Sequence, residues 1–438
     1  MKGLDNIQQK LGIKLNGMQE AAMNAILHTN KDILVLSPTG SGKTLAYLLP
    51  LTQLLNPDNP QIQAVVIVPG RELALQSSEV LNNMGSGLKA IACYGGRTAM
   101  EEHRHTKQVC PHIIFATPGR LNDHLDKNNF NIDNIKFIII DEFDKCLEMG
   151  FQNEMSRIFE KLSHVERHIL LSATNAKSIP QFVQMGRTEK VDYLSTEQVP
   201  DRVTIYKVKS PVKDKLETLR QLLCDIGNQS SIVFLNYRDS VERTASYLEQ
   251  NRFTVSAFHG GLEQKQREDA LYKFTNKSAN ILISTDLASR GLDIPDIANI
   301  IHYHLPENED GYIHRVGRTA RWDKMGKTFF ILGPDEALPD YIDGNMVDYQ
   351  ISEELPEPPK PQMATLYIGK GKKDKLSKGD IVGFLCKKGG LQITEIGRID
   401  VKDRYTYVAV SHPRLQHVLQ LVQGEKIKGV RTVIEEVK

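Results

Sequence analysis

The sequence predicts an α/β chain in three parts: two similar domains built on parallel sheets, then a small α+β module of ferredoxin-like order. Three observations predict it. Short unbroken apolar runs rich in Val and Ile recur at helix-length spacing, the pattern of strands buried on both faces. The runs come in two batches, so two domains of one kind are expected. Behind a proline-rich stretch, the last block reads β-α-β-β-α-β.

The first batch is Ile33–Leu36, Ala64–Val68, Ile113–Ala116, Phe137–Ile140 and Ile169–Leu171. The second is Ile232–Leu235, Val255–Phe258, Ile281–Ile283, Asn299–Tyr303 and Thr328–Leu332. The join is expected near Ser195–Arg202, a polar stretch containing Pro200. Pro356, Pro358, Pro359 and Pro361 crowd one short acidic segment; they forbid helix and favour an extended spacer. The expected boundaries are 1–198, 199–340, a linker over 341–362, and a module over 363–438. In that module, strands are expected near Thr365–Ile368, Glu395–Val401, Tyr405–Val410 and Thr432–Glu435. Its helices are expected near Asp380–Lys387 and Pro413–Gln423.

Of the 438 residues, 40% are hydrophobic and 25% charged, a globular balance that argues against a disordered chain. No apolar run reaches the ~20 residues that span a bilayer, and Met1–Lys14 has no signal-peptide core. A cytoplasmic protein with no membrane partner is expected, acting as a monomer. The cysteines Cys93, Cys110, Cys146, Cys224 and Cys386 are scattered, with no CxxC pair, and read as reduced thiols. His103 and His105 lack partners at metal-ligand spacing and read as surface residues. The net charge of +1 hides an asymmetry: residues 360–438 carry +8 and the rest −7. A basic module behind a mildly acidic body suits a polyanionic partner.

Ser37-Pro38-Thr39-Gly40-Ser41-Gly42-Lys43-Thr44 follows the first strand and opens a helical stretch. Glycines let backbone N–H groups close around phosphate oxygens, and the helix N-terminus adds positive charge. Lys43 is expected to reach the β- and γ-phosphates of ATP, and Thr44 to help hold Mg²⁺. Asp141-Glu142-Phe143-Asp144 ends the fourth strand, expected beside the P-loop strand. Asp141 takes the role of Mg²⁺ partner, and Glu142 is placed to orient or deprotonate water.

The stretch Asp141-Glu142-Phe143-Asp144-Lys145-Cys146-Leu147-Glu148-Met149-Gly150-Phe151 resembles the signature of DEAD-box ATP-dependent RNA helicases. Further motifs follow in that family's order: Pro69-Gly70-Arg71-Glu72-Leu73-Ala74, Gly95-Gly96, Thr117-Pro118-Gly119-Arg120, Ser172-Ala173-Thr174 and Phe234-Leu235-Asn236. His259-Gly260-Gly261 with Gln264 and Arg267, then Ser284 to Asp293, then His314-Arg315-Val316-Gly317-Arg318-Thr319-Ala320-Arg321 complete the set. Leu366-Tyr367-Ile368-Gly369, Gly379-Asp380-Ile381-Val382-Gly383 and Ile427-Lys428-Gly429 resemble the C-terminal RNA-binding domain of the DbpA type.

The resemblance implies two RecA-like domains and an RRM-like tail. It implies an ATP site of Gln19, Thr39, Gly40, Ser41, Gly42, Lys43, Thr44 and Asp293, with Gln19 reading adenine through its amide. Leu15-Asn16 stand where the family usually has Pro-Thr, and Met1–Lys10 holds no stacking aromatic. Arg318 and Arg321 are read as arginine fingers, in other NTPases worth about 10³–10⁵ in rate. For RNA, the first half offers Arg71, Gly95, Gly96, Thr117 and Arg120. The second offers Gly261, Gln264, Arg267 and Thr285, all suited to backbone oxygens and not to bases. Asp144, Ser172, Thr174, Asp286 and His314 are expected to couple the two sites, with Ser172 and Thr174 bonding Asp144. In the tail, Tyr367, Tyr405 and Tyr407 are aromatics of the kind that stack bases, and Lys370, Lys372, Lys373, Lys375 and Lys378 form a phosphate-binding cluster. Phe143 replaces the family's usual Ala, so a benzyl group must be seated in the core.

The expected function is an RNA-dependent ATPase that unwinds or remodels short RNA duplexes. Its expected target is a 23S-type ribosomal RNA hairpin, bound through the tail during large-subunit assembly. A general helicase on messenger RNA and an ATP-gated RNA clamp are the alternatives.

Overall fold

The computed structural model describes residues 2–95, 99–175, 179–194, 203–286, 297–319, 326–342 and 346–437. The chain divides into two compact units. The first holds one seven-stranded sheet; the second holds another, together with the C-terminal module.

The first sheet comprises β1 (Asp32–Leu36), β2 (Ala64–Ile67), β3 (Ala90–Cys93), β4 (Ile113–Ala116), β5 (Phe137–Ile140), β6 (Arg167–Ser172) and β7 (Thr188–Asp192). Their order is β3-β4-β2-β5-β6-β1-β7, all parallel. Successive residues of each strand feed opposite faces. Ala64 and Val66 join one core with Ile33, Val35 and the P-loop helix, while Val65 and Ile67 join the other with Ile138, Ile140 and Phe143. Each Val, Leu or Ile so buried contributes about 1.5–3 kcal/mol.

The second sheet comprises β8 (Val203–Lys209), β9 (Ser231–Leu235), β10 (Val255–Phe258), β11 (Ile281–Thr285), β12 (Asn299–His302), β13 (Gly326–Leu332) and β14 (Met346–Asp348). Its order, β10-β11-β9-β12-β13-β8-β14, repeats that of the first with every strand number raised by seven. The two seven-stranded sheets thus repeat one strand order.

Both sheets are wider than the sequence predicts. Ala90–Cys93, a short apolar run absent from the predicted set, adds one strand; the other added strands lack an unbroken apolar run. Thr188–Asp192 reads Thr-Glu-Lys-Val-Asp and is an exposed edge. Val203–Lys209 alternates apolar and polar residues, and Met346–Asp348 is a short edge. The expected join at 195–202 lies outside the described residues. Part of the stretch expected as an extended spacer packs on the second lobe. Beyond β14, Tyr349, Ile351 and Leu355 pack on that lobe's core, and the Tyr349 and Ser352 hydroxyls donate to Asp225 at 2.7 and 2.6 Å.

The module has β15 (Met363–Ile368), β16 (Ile396–Val401), β17 (Thr406–Ser411) and β20 (Ile434–Glu436) in one antiparallel sheet, ordered β16-β17-β15-β20. This is the ferredoxin-like order. A small hairpin of β18 (Lys426–Ile427) and β19 (Val430–Arg431) precedes the last strand. All five cysteines are free thiols, and among the described residues no helix is long and apolar enough to cross a membrane.

Candidate nucleotide site and RNA-contacting loops

The strand order sorts the motifs. In the first sheet, the P-loop follows β1, the Asp141 turn follows β5 and Ser172 ends β6; these three strands are contiguous. Arg71, Gly95 and Thr117 follow β2, β3 and β4, the other contiguous half. One edge of carboxyl ends therefore carries the nucleotide motifs beside the RNA motifs, where open α/β sheets place ligands. The Asp141 strand is not beside the P-loop strand, as the sequence led us to expect: β6 lies between them.

The P-loop needs its glycines. Gly40 and Gly42 hold φ of +83° and +82°. A Cβ on Gly42 would stand 2.3 Å from Gln19 Nε2. Lys43 begins the Lys43–Leu54 helix, and its Nζ donates to the carbonyls of Ser37 and Pro38 at 2.7 and 2.8 Å. The ammonium thus closes the loop on itself. Thr39, Ser41 and Thr44 lie in the same loop and first helical turn.

Asn16 and Gln19 brace this loop from outside. They form a capping box at the start of the Gly17–His28 helix. Gln19 Nε2 donates to the Gly42 carbonyl (3.1 Å) and Asn16 Nδ2 to the Ser41 carbonyl (2.9 Å). Asn16, which departs from the family pattern, thereby holds the P-loop. The Gln19 carbonyl oxygen accepts from Asn16 N–H, so both ends of the amide are engaged within the protein.

Asp141 is buried. Burial, reinforced by the Glu142 charge, pushes its carboxyl up to about 7, while Lys43 opposes the rise. Glu142 sits in left-handed backbone (φ +53°), where a residue with a Cβ is strained by about 1–3 kcal/mol. That turn lets Glu142 N–H donate to Asp141 Oδ1 at 3.0 Å and starts the Phe143–Glu148 helix. Phe143 is fully buried with Ile140, Cys146 and Leu170, so the core seats the benzyl group. Sequence reasoning missed Tyr47, which is wholly buried on the P-loop helix; burial first, then the Asp141 charge, pushes its phenol well up.

Asp144 links this turn to β6. Its Oδ2 accepts from Ala173 N–H (3.2 Å) and Thr174 Oγ1 (3.1 Å). Ser172 does not bond Asp144 as expected. Its hydroxyl donates to the Thr174 carbonyl at 2.6 Å, because the chain turns back on itself just after β6.

Among the RNA motifs, Arg71 opens the Arg71–Met84 helix with its guanidinium beside Gly95, where a Cβ would meet Arg71 Nη2 at 3.7 Å. Thr117 precedes the Pro118–Asp126 helix in extended backbone, without a side-chain capping bond. Arg120 is turned inward, bonding the Tyr94 carbonyl, Asp123 and Glu102. Glu102 also takes His124 Nε2 (2.9 Å) and Tyr94 N–H (3.2 Å). These bonds engage both carboxylate oxygens of Glu102, the acid in a close buried trio with Cys93 and His124. Gly96 lies outside the described residues.

The second sheet repeats the sorting: Asn236, His259 to Arg267 and Thr285 follow or end β9, β10 and β11, which are contiguous. Gly261 is pinned by its N–H donating to His259 Nδ1 (3.2 Å). Arg267 lies over the Phe258 ring at 4.8 Å, and Gln264 Nε2 donates to Glu268 at 3.0 Å. Motif VI follows β12 through the Glu309–Val316 helix. There the structure reveals an unsuspected keystone. Arg315, 1% exposed, bonds both Asp286 oxygens (2.6 and 2.7 Å), Asn236 Oδ1 (2.8 Å) and the His304 carbonyl (2.6 Å). Three motifs distant in sequence meet on one guanidinium. His314 and Arg318 are buried beside it in sequence, while Arg321 and Asp293 lie outside the described residues.

In the module, Lys372, Lys373, Lys375 and Lys378 are exposed, and Lys370 pairs with Asp374 at 3.0 Å. Tyr367 is half-buried, with the Lys265 ammonium over its ring at 4.7 Å. The aromatic sheet face is therefore covered by protein, not open for bases.

A P-loop, a buried carboxylate turn and RNA-type motifs on two duplicated sheets define a two-lobed ATP-hydrolysing RNA helicase. The DEAD/DEAH box helicase family matches residues 16–182, the helicase conserved C-terminal domain 214–323 and the DbpA RNA binding domain 365–436. The chain is 33% identical to the ATP-dependent RNA helicase DbpA of Escherichia coli K12, over 97% of this chain and 95% of that protein. It is 38% identical to the ATP-dependent rRNA helicase RRP3 of Yarrowia lipolytica, over 68% of this chain and 63% of that one. A solved structure of S. cerevisiae Dbp5 bound to RNA and ADP BeF3 superposes with a TM-score of 0.72 at 25% identity, covering 80% of this chain and 94% of that one. The chain belongs to the DEAD-box ATP-dependent RNA helicases of the DbpA type.

Proposed function

We propose that this helicase remodels ribosomal RNA during large-subunit assembly, with the C-terminal module as its address. The exposed lysine cluster on a domain matched to the DbpA RNA binding domain carries this reading. A hairpin of 23S-type RNA supplies the phosphates those lysines bind. The rRNA helicase among its relatives supports the substrate class.

At the nucleotide site, Gly40, Gly42, Ser41 and Thr39 cradle phosphate, Lys43 leaves its two carbonyls for the β- and γ-phosphates, and Gln19 contributes to adenine recognition. Asp141 and Thr44 would hold Mg²⁺. The fit is chemical: burial holds the Asp141 carboxyl near neutrality, and a divalent cation favours its charged form. When bound, Mg²⁺ neutralises charge on the phosphate oxygens. Glu142, held by its strained turn, orients the attacking water. Arg318 and Arg321 are assigned to stabilising charge on the transferring phosphoryl, and Asp293 to nucleotide binding. Arg71, Gly95, Gly96, Thr117, Arg120, Gly261, Gln264, Arg267 and Thr285 contact the RNA backbone. The Asp144–Thr174 bond and the Arg315–Asp286 pair with His314 couple the two activities.

The test exchanges charge on the intact chain. Lys372, Lys373 and Lys375 each changed to Glu should abolish preference for large-subunit ribosomal RNA while RNA-stimulated hydrolysis persists on random RNA. Unchanged preference refutes the address.

A further inference from the structure

A buried imidazole supports the keystone Arg315. His302 ends β12 and is wholly enclosed. It stands opposite Phe330 of β13 in the parallel ladder and stacks on that ring at 4.1 Å, 3° from parallel. Thr328, two residues before Phe330, lies on the same face of the sheet and is equally buried. The imidazole is held at both nitrogens: Nε2 lies 3.0 Å from Thr328 Oγ1, and Nδ1 lies 3.2 Å from Arg315 Nη1.

These partners fix the proton. A guanidinium only donates, so Nδ1 is the acceptor. The neutral ring then carries its hydrogen on Nε2 and donates it to Thr328. Burial, then the Arg315 charge, keeps the ring neutral. A guanidinium has five N–H groups, and here every one has a partner. Nε and Nη2 donate to the two Asp286 oxygens, and Nη2 also donates to Asn236 Oδ1. Nη1 donates to the His304 carbonyl and to His302. Three bonds therefore reach the loops after β9 and β11, and two return to the end of β12. The guanidinium is a rigid plane, so fixing one edge fixes the other. Asp286 directly follows Thr285, a residue read above as an RNA contact.

We propose that His302 is a positioning residue for RNA binding: by accepting the fifth N–H of Arg315 it sets the plane of the guanidinium, and through Asp286 the place of Thr285 against the RNA backbone. This rests on the reading of Thr285 as an RNA contact.

Asn and Gln separate the two ring nitrogens. In His302→Asn the amide oxygen stands where Nδ1 stood and still accepts from Arg315. In His302→Gln the longer amide reaches Thr328 and leaves one Arg315 N–H without a partner. Steady-state ATP hydrolysis by the full chain is measured against short oligouridylate at saturating ATP, and against ATP at saturating RNA. His302→Gln should raise the KM for RNA about 3–10-fold, the loss of one hydrogen bond, with kcat and the KM for ATP little changed. His302→Asn should keep the wild-type KM for RNA. Phe330→Leu removes the stacked ring and leaves both hydrogen bonds; it should lower thermal stability without moving that KM. If Thr285→Ala leaves the KM for RNA unchanged, the RNA contact itself is wrong. If Thr285→Ala raises it and His302→Gln does not, the contact stands and the positioning role falls. An equal rise in His302→Asn or in Phe330→Leu would make His302 a packing residue and also overturn the proposal. Should His302→Gln not fold, Thr328→Val, which frees the other end of the ring, is read in its place: its KM for RNA should rise, and an unchanged value overturns the proposal.

Discussion

Single residues in this chain do work that their neighbours in space define. Gly42 combines left-handed backbone with a contact that leaves no room for a Cβ. Gly42→Ala should cost about 1–2 kcal/mol from the backbone alone. It should also displace Gln19 and weaken ATP binding; unchanged thermal stability and nucleotide affinity would contradict this. Glu142 is the group proposed above to handle water. Glu142→Gln should keep nucleotide affinity and slow hydrolysis about 10²–10⁴-fold, the worth of a positioned base, as read by single-turnover kinetics. The P-loop, Asp141 and Glu142 were legible in the sequence because contiguous residues carry their chemistry. Arg315, Tyr47 and Glu102 were not. Arg315 finds Asn236 and Asp286 across 79 and 29 residues, and no local pattern announces such a meeting.

Among the elements, wholly apolar strands buried on both faces were readable, and the polar edge Thr188–Asp192 was not. Ala64–Ile67 and Ile113–Ala116 are apolar throughout because each residue faces one of two cores. Thr188–Asp192 faces water along one side, so its composition is that of a loop. The β12 strand carries a titration with a definite sign. His302, stacked on Phe330 at 4.1 Å, is wholly buried, and burial followed by the Arg315 charge holds it well below the usual histidine range. His304 is lowered to about 4, first by burial and then by Lys215. Both are neutral when folded and bind protons more readily unfolded. The stability they confer is complete above the unfolded value of ~6.5 and is lost as pH falls from there toward 4. The unfolding midpoint of the second lobe should therefore fall over that window, with a shallower slope in His302→Asn. An identical slope would remove His302 from the account.

For the whole molecule, duplication and asymmetry together explain the chemistry. Two sheets of one topology each carry the family motifs after contiguous strands, so one edge of each lobe gathers the residues assigned above to nucleotide and to RNA. The repeat was visible as two batches of apolar runs. Their common strand order was not, since order is set by crossovers that leave no mark in composition. The basic tail breaks the symmetry, and its charge was legible from counts alone. Its docked tyrosine face was not, because an exposed aromatic platform and a packed one have the same sequence. The most direct measurement is steady-state ATP hydrolysis by the intact chain with no RNA, random RNA and large-subunit ribosomal RNA at fixed salt. The account predicts strong stimulation by ribosomal RNA, well beyond that by random RNA. Equal stimulation by both would contradict the address, and no stimulation by either would contradict the coupling of hydrolysis to RNA.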